Sequence, residues 1–432
     1  MSKADQPYYF AHIPKTGGTS FIALLDHYFA EDQICPHQLW RDIGNVQAVK
    51  NKNYQLFRGH FGGAAQLLAN QELRYLTILR DPISMAASTY HYAKRDKNTK
   101  LHNFINNNEL SFAGFIDHRR TRHLVQNRIL RSLTFGLDGQ LNIEDMEITP
   151  NTYRQFKRTI NKNKVYSTAE KRLGRLKRFI KDCYWFGILE HYDQSIDLLC
   201  YVMGWPPVTK TQKLNVHNKP QEIQPEIKEK LKVLNHYDCK LYRFAQQQFN
   251  KNYARMLVDL SLPEDARSED IKKAIDNRYQ SIYASKKTIN TKPTYRYTPK
   301  EPILGDQWHR REWNPDLKKF FCWSGPGQVS FIDIWVQQKD YMITIKLANV
   351  VSHELIKNLD ILINSNPTSW SHTSTASSYE LKIQCDKEMV LKSGLLRIQF
   401  NSTELMVHQD VFESDDSRLV GFALESIAMK PN

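Results

Sequence analysis

The chain of 432 residues is too long for one ordinary domain and is expected to hold two or three, each able to bury its own core. Hydrophobic residues make up 41% and charged residues 25%, a globular balance that excludes collagen-like, low-complexity and disordered classes. Lys and Arg number 60 against 46 acids, a net charge of +14, and the 14 basic and 17 acidic residues from Lys300 onward leave +17 on residues 1–299. An anionic partner is therefore expected of the N-terminal part, and charge alone does not choose among nucleic acid, acidic lipid, anionic polysaccharide and a polyphosphorylated nucleotide.

No run approaches the roughly 18 apolar residues of a membrane span, and the start, MSKADQPYYF, lacks a basic segment followed by an apolar one. A soluble, cytoplasmic protein with no membrane span is expected. Cys35, Cys183, Cys200, Cys239, Cys322 and Cys385 are scattered without a CxxC pair, which reads as reduced packing thiols rather than a disulfide framework or zinc site.

In chain order, Tyr8 to Ile13 is a short apolar run fit for a buried strand, and Phe21, Leu24, Leu25, Tyr28 and Phe29 then recur at helical spacing. Tyr75 to Leu79 is a second strand, followed by Asp81 as N-cap, Pro82 at the first helical position, and Ile83, Ala86, Ala87 and Tyr90 on one helix face. Ser167-Thr168-Ala169-Glu170 reads as a capping box for a basic helix, Tyr184 to Leu189 as a third strand, and Ile196, Leu199, Cys200 and Met203 as a helix ending at Gly204. Strands alternating with helices imply an α/β domain with a mainly parallel sheet over residues 1–253. Residues 254–299 are polar and Lys-rich and are expected to be a partly helical connector. From residue 300 to 432 the period switches to two in Val329 to Ile334, Tyr341 to Leu347, Tyr379 to Ile383 and Leu396 to Phe400, the pattern of an all-β sandwich.

The sharpest chemical motif is His12-Ile13-Pro14-Lys15-Thr16-Gly17-Gly18-Thr19-Ser20, between the first strand and first helix. Two glycines allow a tight backbone turn, and lysine, hydroxyls and a helix N-terminus add donors and positive charge, so the segment reads as a phosphate cradle. It is not the GxxxxGK[ST] triphosphatase loop, because Lys15 precedes the glycines. A Gly-containing turn without ligand is the alternative.

This segment resembles the 5′-phosphosulfate loop of carbohydrate sulfotransferases that use 3′-phosphoadenosine 5′-phosphosulfate (PAPS), especially those akin to the uronyl 2-O-sulfotransferases. Leu79-Arg80-Asp81-Pro82 to Tyr90 is similar to the same family's 3′-phosphate motif, an Arg at a strand end with a Ser eight residues on. The resemblance implies a P-loop-containing sulfotransferase fold, with Pro14, Lys15, Thr16, Gly17, Gly18, Thr19 and Ser20 around the 5′-phosphosulfate and Arg80 and Ser88 on the 3′-phosphate. Trp185 to Leu199 and Tyr237 to Tyr242 are also similar to late segments of the family, so the likeness covers about residues 7–253.

In Phe57-Arg58-Gly59-His60-Phe61-Gly62-Gly63, the Gly-His dipeptide matches the position of the family's proposed general base. A hydroxyl attacking sulfur must lose its proton, and histidine titrates near working pH, so His60 suits that role. Relatives often carry another histidine two positions earlier, where this chain has Arg58. Lys15 would stabilise charge developing on the leaving phosphate, and no metal is required.

Eleven Lys or Arg and one acid, Glu170, lie between Arg154 and Lys181, with Arg119, Arg120, Arg122, Arg128 and Arg131 upstream. These rows could hold an anionic glycan, form a solvated helix face, or screen the nucleotide's charge. Nucleic acid would want interleaved aromatics, which are few here. Near the start of the sandwich, Gly305 to Trp313 and Phe321 to Gly327 resemble the opening of an accessory domain appended to bacterial glycan-modifying enzymes. Trp308, Trp313, Trp323 and Trp370 suit a sandwich core better than a sugar-stacking surface.

The expectation is a bacterial PAPS-dependent sulfotransferase acting on a hydroxyl of a carbohydrate. A catalytically idle phosphate-loop module binding an anionic nucleotide or glycan is the rival, and an ATP-using kinase the weaker third. Acceptor identity and oligomeric state are not legible.

Overall fold

The computed structural model describes residues 6–136, 147–162, 168–210, 223–285, 294–375 and 378–432. The chain divides into two compact units, one of residues 1–22, 33–199 and 213–256, the other of residues 23–32, 200–212 and 257–432.

The first unit is α/β. Its sheet comprises β1 (Tyr8–Ala11), β2 (Leu56–Gly59), β3 (Arg74–Leu79) and β4 (Trp185–Ile188) in the order β2-β1-β3-β4. All pairings are parallel, with Tyr8 opposite both Leu56 and Arg74, and Leu76 opposite Trp185. Tyr9, Phe10, Phe57, Leu76 and Ile78 are buried, as expected of a parallel sheet covered on both faces. The first strand stops at Ala11 rather than Ile13, because the Ile13 carbonyl turns to accept the Thr16 hydroxyl at 2.8 Å.

Helix α1 (Gly18–His27) follows β1, and α2 (Pro82–Arg95) follows β3. Asp81 caps α2 by accepting the Ser84 N–H at 2.8 Å, with Pro82 at its first position. Further on come α3 (Arg128–Leu133), α4 (Tyr153–Lys162), α5 (Ala169–Asp182), α6 (Tyr192–Met203), which ends at Gly204 with φ +66°, and α7 (His236–Asp259). The cap of α5 is Thr168, which accepts the Lys171 N–H at 3.3 Å, and the Glu170 carboxylate accepts the Tyr237 hydroxyl. Ser167 lies outside the described residues.

The second unit is a sandwich of two antiparallel sheets. One has seven strands, running Trp370–Thr375, Ser378–Cys385, Tyr341–Val350, Phe422–Pro431, Lys319–Trp323 and Glu312–Asn314, with Tyr295–Tyr297 also on Phe422–Pro431. The other has five, in the order Asn366–Pro367, Asp360–Ile363, Leu395–Asn401, Val329–Trp335 and Gly305–Asp306. Ile332, Ile343, Leu347, Ile383, Ile398 and Phe400 meet between them, the residues that period-two alternation sends to one face. Trp308 and Trp323 are core, Trp370 packs against its edge, and Trp313 is 50% exposed. Of the expected connector, α8 (Ser268–Ser285) is a helix that packs Tyr279 and Tyr283 on Trp335 and Leu395. No helix among the described residues is long and apolar enough to cross a membrane.

Arg397 joins α8 to the five-stranded sheet. Its guanidinium donates to Asp333 at 2.7 and 2.8 Å and to Asp276 at 2.9 and 2.8 Å. Burial pushes the Asp333 carboxyl up, and Arg397 is the cation that opposes that shift. Removing one member of such a pair leaves an uncompensated buried charge and costs about 3–5 kcal/mol. Arg397→Met is therefore expected to destabilise the second unit by that order, read as a shift in the urea midpoint of the sandwich transition; an unchanged midpoint would show the pair to be dispensable.

Candidate functional site

The strand order reverses at β1. The connection from β1 leads to one side and that from β3 to the other, so a crevice opens beyond the carboxyl ends of these two neighbours, where open α/β sheets bind ligands. The loop after β1 carries Lys15, and Arg80 leaves the end of β3. The structure brings them together: Arg80 Nη1 donates to the Lys15 carbonyl oxygen at 3.0 Å.

The loop is held by close contacts. Lys15 and Gly17 have φ of +70° and +78°, and a Cβ on Gly17 would lie 2.7 Å from Leu189 Cδ1. A Cβ on Gly18 would lie 2.0 Å from Nε2 of His12, so only glycine fits beside that imidazole. Thr16 is fully buried, whereas Thr19 is exposed and Pro14, Lys15 and Ser20 are half-buried at the start of α1. The Lys15 ammonium sits 4.0 Å over the Tyr92 ring of α2. Burial, then Arg95 and Arg80, holds its pKa below the ordinary lysine value. Burial likewise lowers Arg80, against Glu190 and Asp81. Ser88 is half-buried on α2 and makes no direct bond to Arg80 or the loop among the described residues. On the same helix, His91 and Lys94 line a second cavity of about 680 Å³ with Tyr90, Asn106 and Gln224.

His60 follows β2. Gly59, at φ +145°, lets the chain pass within contact of Gln38, whose carbonyl accepts the His60 N–H at 2.8 Å; a Cβ on Gly59 would lie 2.2 Å from that oxygen. The Tyr9 hydroxyl donates to Gly59 O and accepts from Phe61 N, both at 3.1 Å, and so clamps the main chain on either side of His60. The His60 ring stacks on His12 at 4.4 Å and 25°, with Nδ1 2.8 Å from the His12 carbonyl oxygen. Burial lowers the His60 pKa from the usual histidine value, with Arg128 adding to that effect. Burial, followed by His60 and Lys15, brings His12 down to about 3.

His60 and Pro14 line a cleft of about 610 Å³ with Arg128, Arg131, Tyr153 and Lys157. Arg128 is largely buried, and its Nε has no hydrogen-bond partner among the described residues. Burial and neighbouring Arg131 lower its pKa to about 10. Helix α3, which carries both arginines, is anchored by Asp238: its carboxylate accepts the N–H groups of Ile129 at 2.7 Å and Leu130 at 2.9 Å, and burial raises its own pKa to about 7.

The two late segments act as buttresses. Glu190 accepts from the Asp81 N–H at 3.0 Å and from the Tyr242 hydroxyl at 2.7 Å, bracing the start of α2 next to Arg80. The basic rows divide: Lys157 faces the cleft, whereas Lys177 and Lys181 lie 5.4 and 5.9 Å over Phe244. Residues 163–167 of that run lie outside the described residues.

Neither a protein-family model nor a curated protein matches the chain.

Sequence reasoning placed Tyr9 in the first strand and His12 at the head of the loop motif without foreseeing their contacts with the His60 turn, passed over Gln38, and did not separate Arg128 and Arg131 from their basic neighbours. His12 stands beside the loop and had a signal in that adjacency; Gln38 acts through its carbonyl and had none. Tyr9→Phe leaves the Phe61 N–H without its partner, a loss of about 1–3 kcal/mol for a buried group, while Gly59 O keeps the His12 N–H at 3.0 Å. The expected outcome is a lower urea midpoint for the first unit and loss of the single His60 environment in a histidine-labelled NMR spectrum; an unchanged spectrum would show that the clamp does not hold His60.

Proposed function

We propose that the first unit has a P-loop-containing sulfotransferase fold and transfers a sulfuryl group from PAPS to a hydroxyl of a carbohydrate. The observation that carries this reading is the direct bond between Arg80 and Lys15 at the β1–β3 crevice, with His60 on the adjoining cleft. The residues present suit the donor: a glycine-tight loop at a helix N-terminus, an ammonium and a guanidinium, each lowered in pKa by burial.

His60 supplies the base. A carbonyl oxygen only accepts, so the 2.8 Å contact with His12 O puts the proton of the neutral ring on Nδ1 and leaves the lone pair on Nε2. As the acceptor oxygen bonds to sulfur, its proton passes to Nε2, the bond from sulfur to the bridging phosphate oxygen breaks, and its electron pair leaves with 3′-phosphoadenosine 5′-phosphate. Lys15 stabilises the charge that grows on that phosphate. Arg128, Arg131 and Lys157 beside His60 favour an acceptor that carries its own negative charge, because a buried guanidinium is relieved by a bidentate carboxylate or sulfate. In this scheme Ser88 meets the 3′-phosphate with Arg80, as the family resemblance implies.

Isothermal calorimetry without magnesium should show 3′-phosphoadenosine 5′-phosphate binding about 10-fold or more tighter than AMP, because each charge-assisted bond to the 3′-phosphate is worth about 1.5–3 kcal/mol. Equal affinities would remove the nucleotide assignment. His60→Ala should lower sulfate transfer to a panel of acidic and neutral polysaccharides by about 10²-fold or more with little change in donor affinity. Tight nucleotide binding without transfer to any of them would favour the idle binding module.

A further inference from the structure

A column of five aromatic rings runs through the first unit and ends at His60. Trp185 of β4 stacks on Phe21 of α1 at 5.0 Å and 7°, and Phe21 meets Phe10 of β1 at 4.6 Å. Phe10 stacks on His12 at 5.6 Å and 15°, and His12 on His60 at 4.4 Å and 25°. The first three rings are buried in the core, and the two imidazoles line the cleft. The buried Nδ1 of His12 has no hydrogen-bond partner among the described residues, so the ring is held through its faces and its edge. That edge meets the phosphate loop at Gly18, where an added Cβ would lie 2.0 Å from Nε2.

An imidazole on its own turns freely about its last side-chain torsion, which is broad and roughly two-fold, and either nitrogen can carry the proton. Here one face of His60 is covered by a flat ring that is itself wedged against the loop, and the His12 carbonyl receives Nδ1–H.

We propose that His12 is a positioning residue: packed between Gly18 of the phosphate loop and the ring of His60, it holds His60 in the Nδ1–H tautomer with Nε2 toward the cleft, and it couples that placement to occupancy of the loop. The use of His60 as a base rests on the sulfuryl-transfer reading; its tautomer and its link to Gly18 do not. The titratable and charged groups around His60 are Tyr9 and His12 from β1, Arg128 and Arg131 from α3, and Tyr153 and Lys157 from α4. Replacing the His12 side chain changes none of the other five.

The test is long-range proton–nitrogen NMR of the full chain labelled at histidine, with and without 3′-phosphoadenosine 5′-phosphate. In the parent protein His60 should show Nδ1–H alone and titrate below about 6.5, the ordinary histidine value. His12→Phe keeps the flat ring and removes the unsatisfied nitrogen, so the tautomer should persist and the Tm should not fall. His12→Ala, or His12→Leu if the alanine variant does not fold, should give mixed tautomers and a titration that moves up toward the ordinary value as water reaches the ring. The nucleotide should shift the His60 signals in the parent and in His12→Phe, and should shift them by less than half as much in the alanine or leucine variant. An Nε2–H tautomer in the parent, or an unaltered His60 tautomer and titration in His12→Ala or His12→Leu, would overturn the proposal. Failure of the nucleotide to bind the parent would count against the sulfotransferase reading and against the coupling to the loop, while the tautomer comparison would still decide the positioning role.

Discussion

Everything at the site depends on β1 being paired on both sides by parallel partners. Parallel pairing to β2 on one edge and β3 on the other points all three carboxyl ends the same way, Ala11 lying opposite Gly59 and Thr77, so the Lys15 loop, the Gly-His turn and Arg80 emerge at one rim of the sheet. Parallel strands demand long crossover connections, and those crossovers bring in the helices that cover the sheet and carry the remaining cations. The bond from Arg80 to Lys15 and the stack of His12 on His60 tie neighbouring strand ends across that rim.

Close approach is what the glycines supply. At Gly18 a side chain would enter the His12 ring, and at Gly59 it would enter the Gln38 backbone, so each of these positions sets how near two segments can come. Such contacts leave little slack in the loop or at His60. The interior stacking of Phe10 on His12 extends the same rigidity back into the core, where interiors are packed as densely as organic crystals.

Burial opposes the charge on three cations at the site. Lys15, Arg80 and Arg128 are each lowered in pKa by burial, and the Nε of Arg128 has no hydrogen-bond partner among the described residues. A protein keeps such charges partly desolvated when an anion is to be received, since the charges then act in a low-dielectric setting without reorganisation. Neutral imidazoles belong to the same arrangement: a protonated His60 among those cations would be repelled, and its neutral form is the one that can accept a proton.

The sequence by itself determined what depends on neighbours along the chain. Strand and helix periodicity, Asp81 and Pro82 at the start of α2, Gly204 at the end of α6, and the glycine-containing turn after β1 are all short-range choices of backbone and side chain, and they were legible without a structure. So was the switch to period-two alternation that sends Ile332, Ile343 and Phe400 into one core. Tertiary structure alone decided which distant groups meet. His12 and His60 lie 48 residues apart, Asp238 and Leu130 108 apart, and Glu190 and Asp81 109 apart, and no local pattern encodes those contacts. Position 58, two before His60 on the same strand, carries arginine, and the ring on His60 comes from His12 just past the end of the adjacent strand, a placement fixed by the parallel register of β1 and β2. Sequence spacing reports what one strand or helix presents to its surroundings; the packing of separate strands, which is set by burial of their shared faces, decides what that presentation encounters.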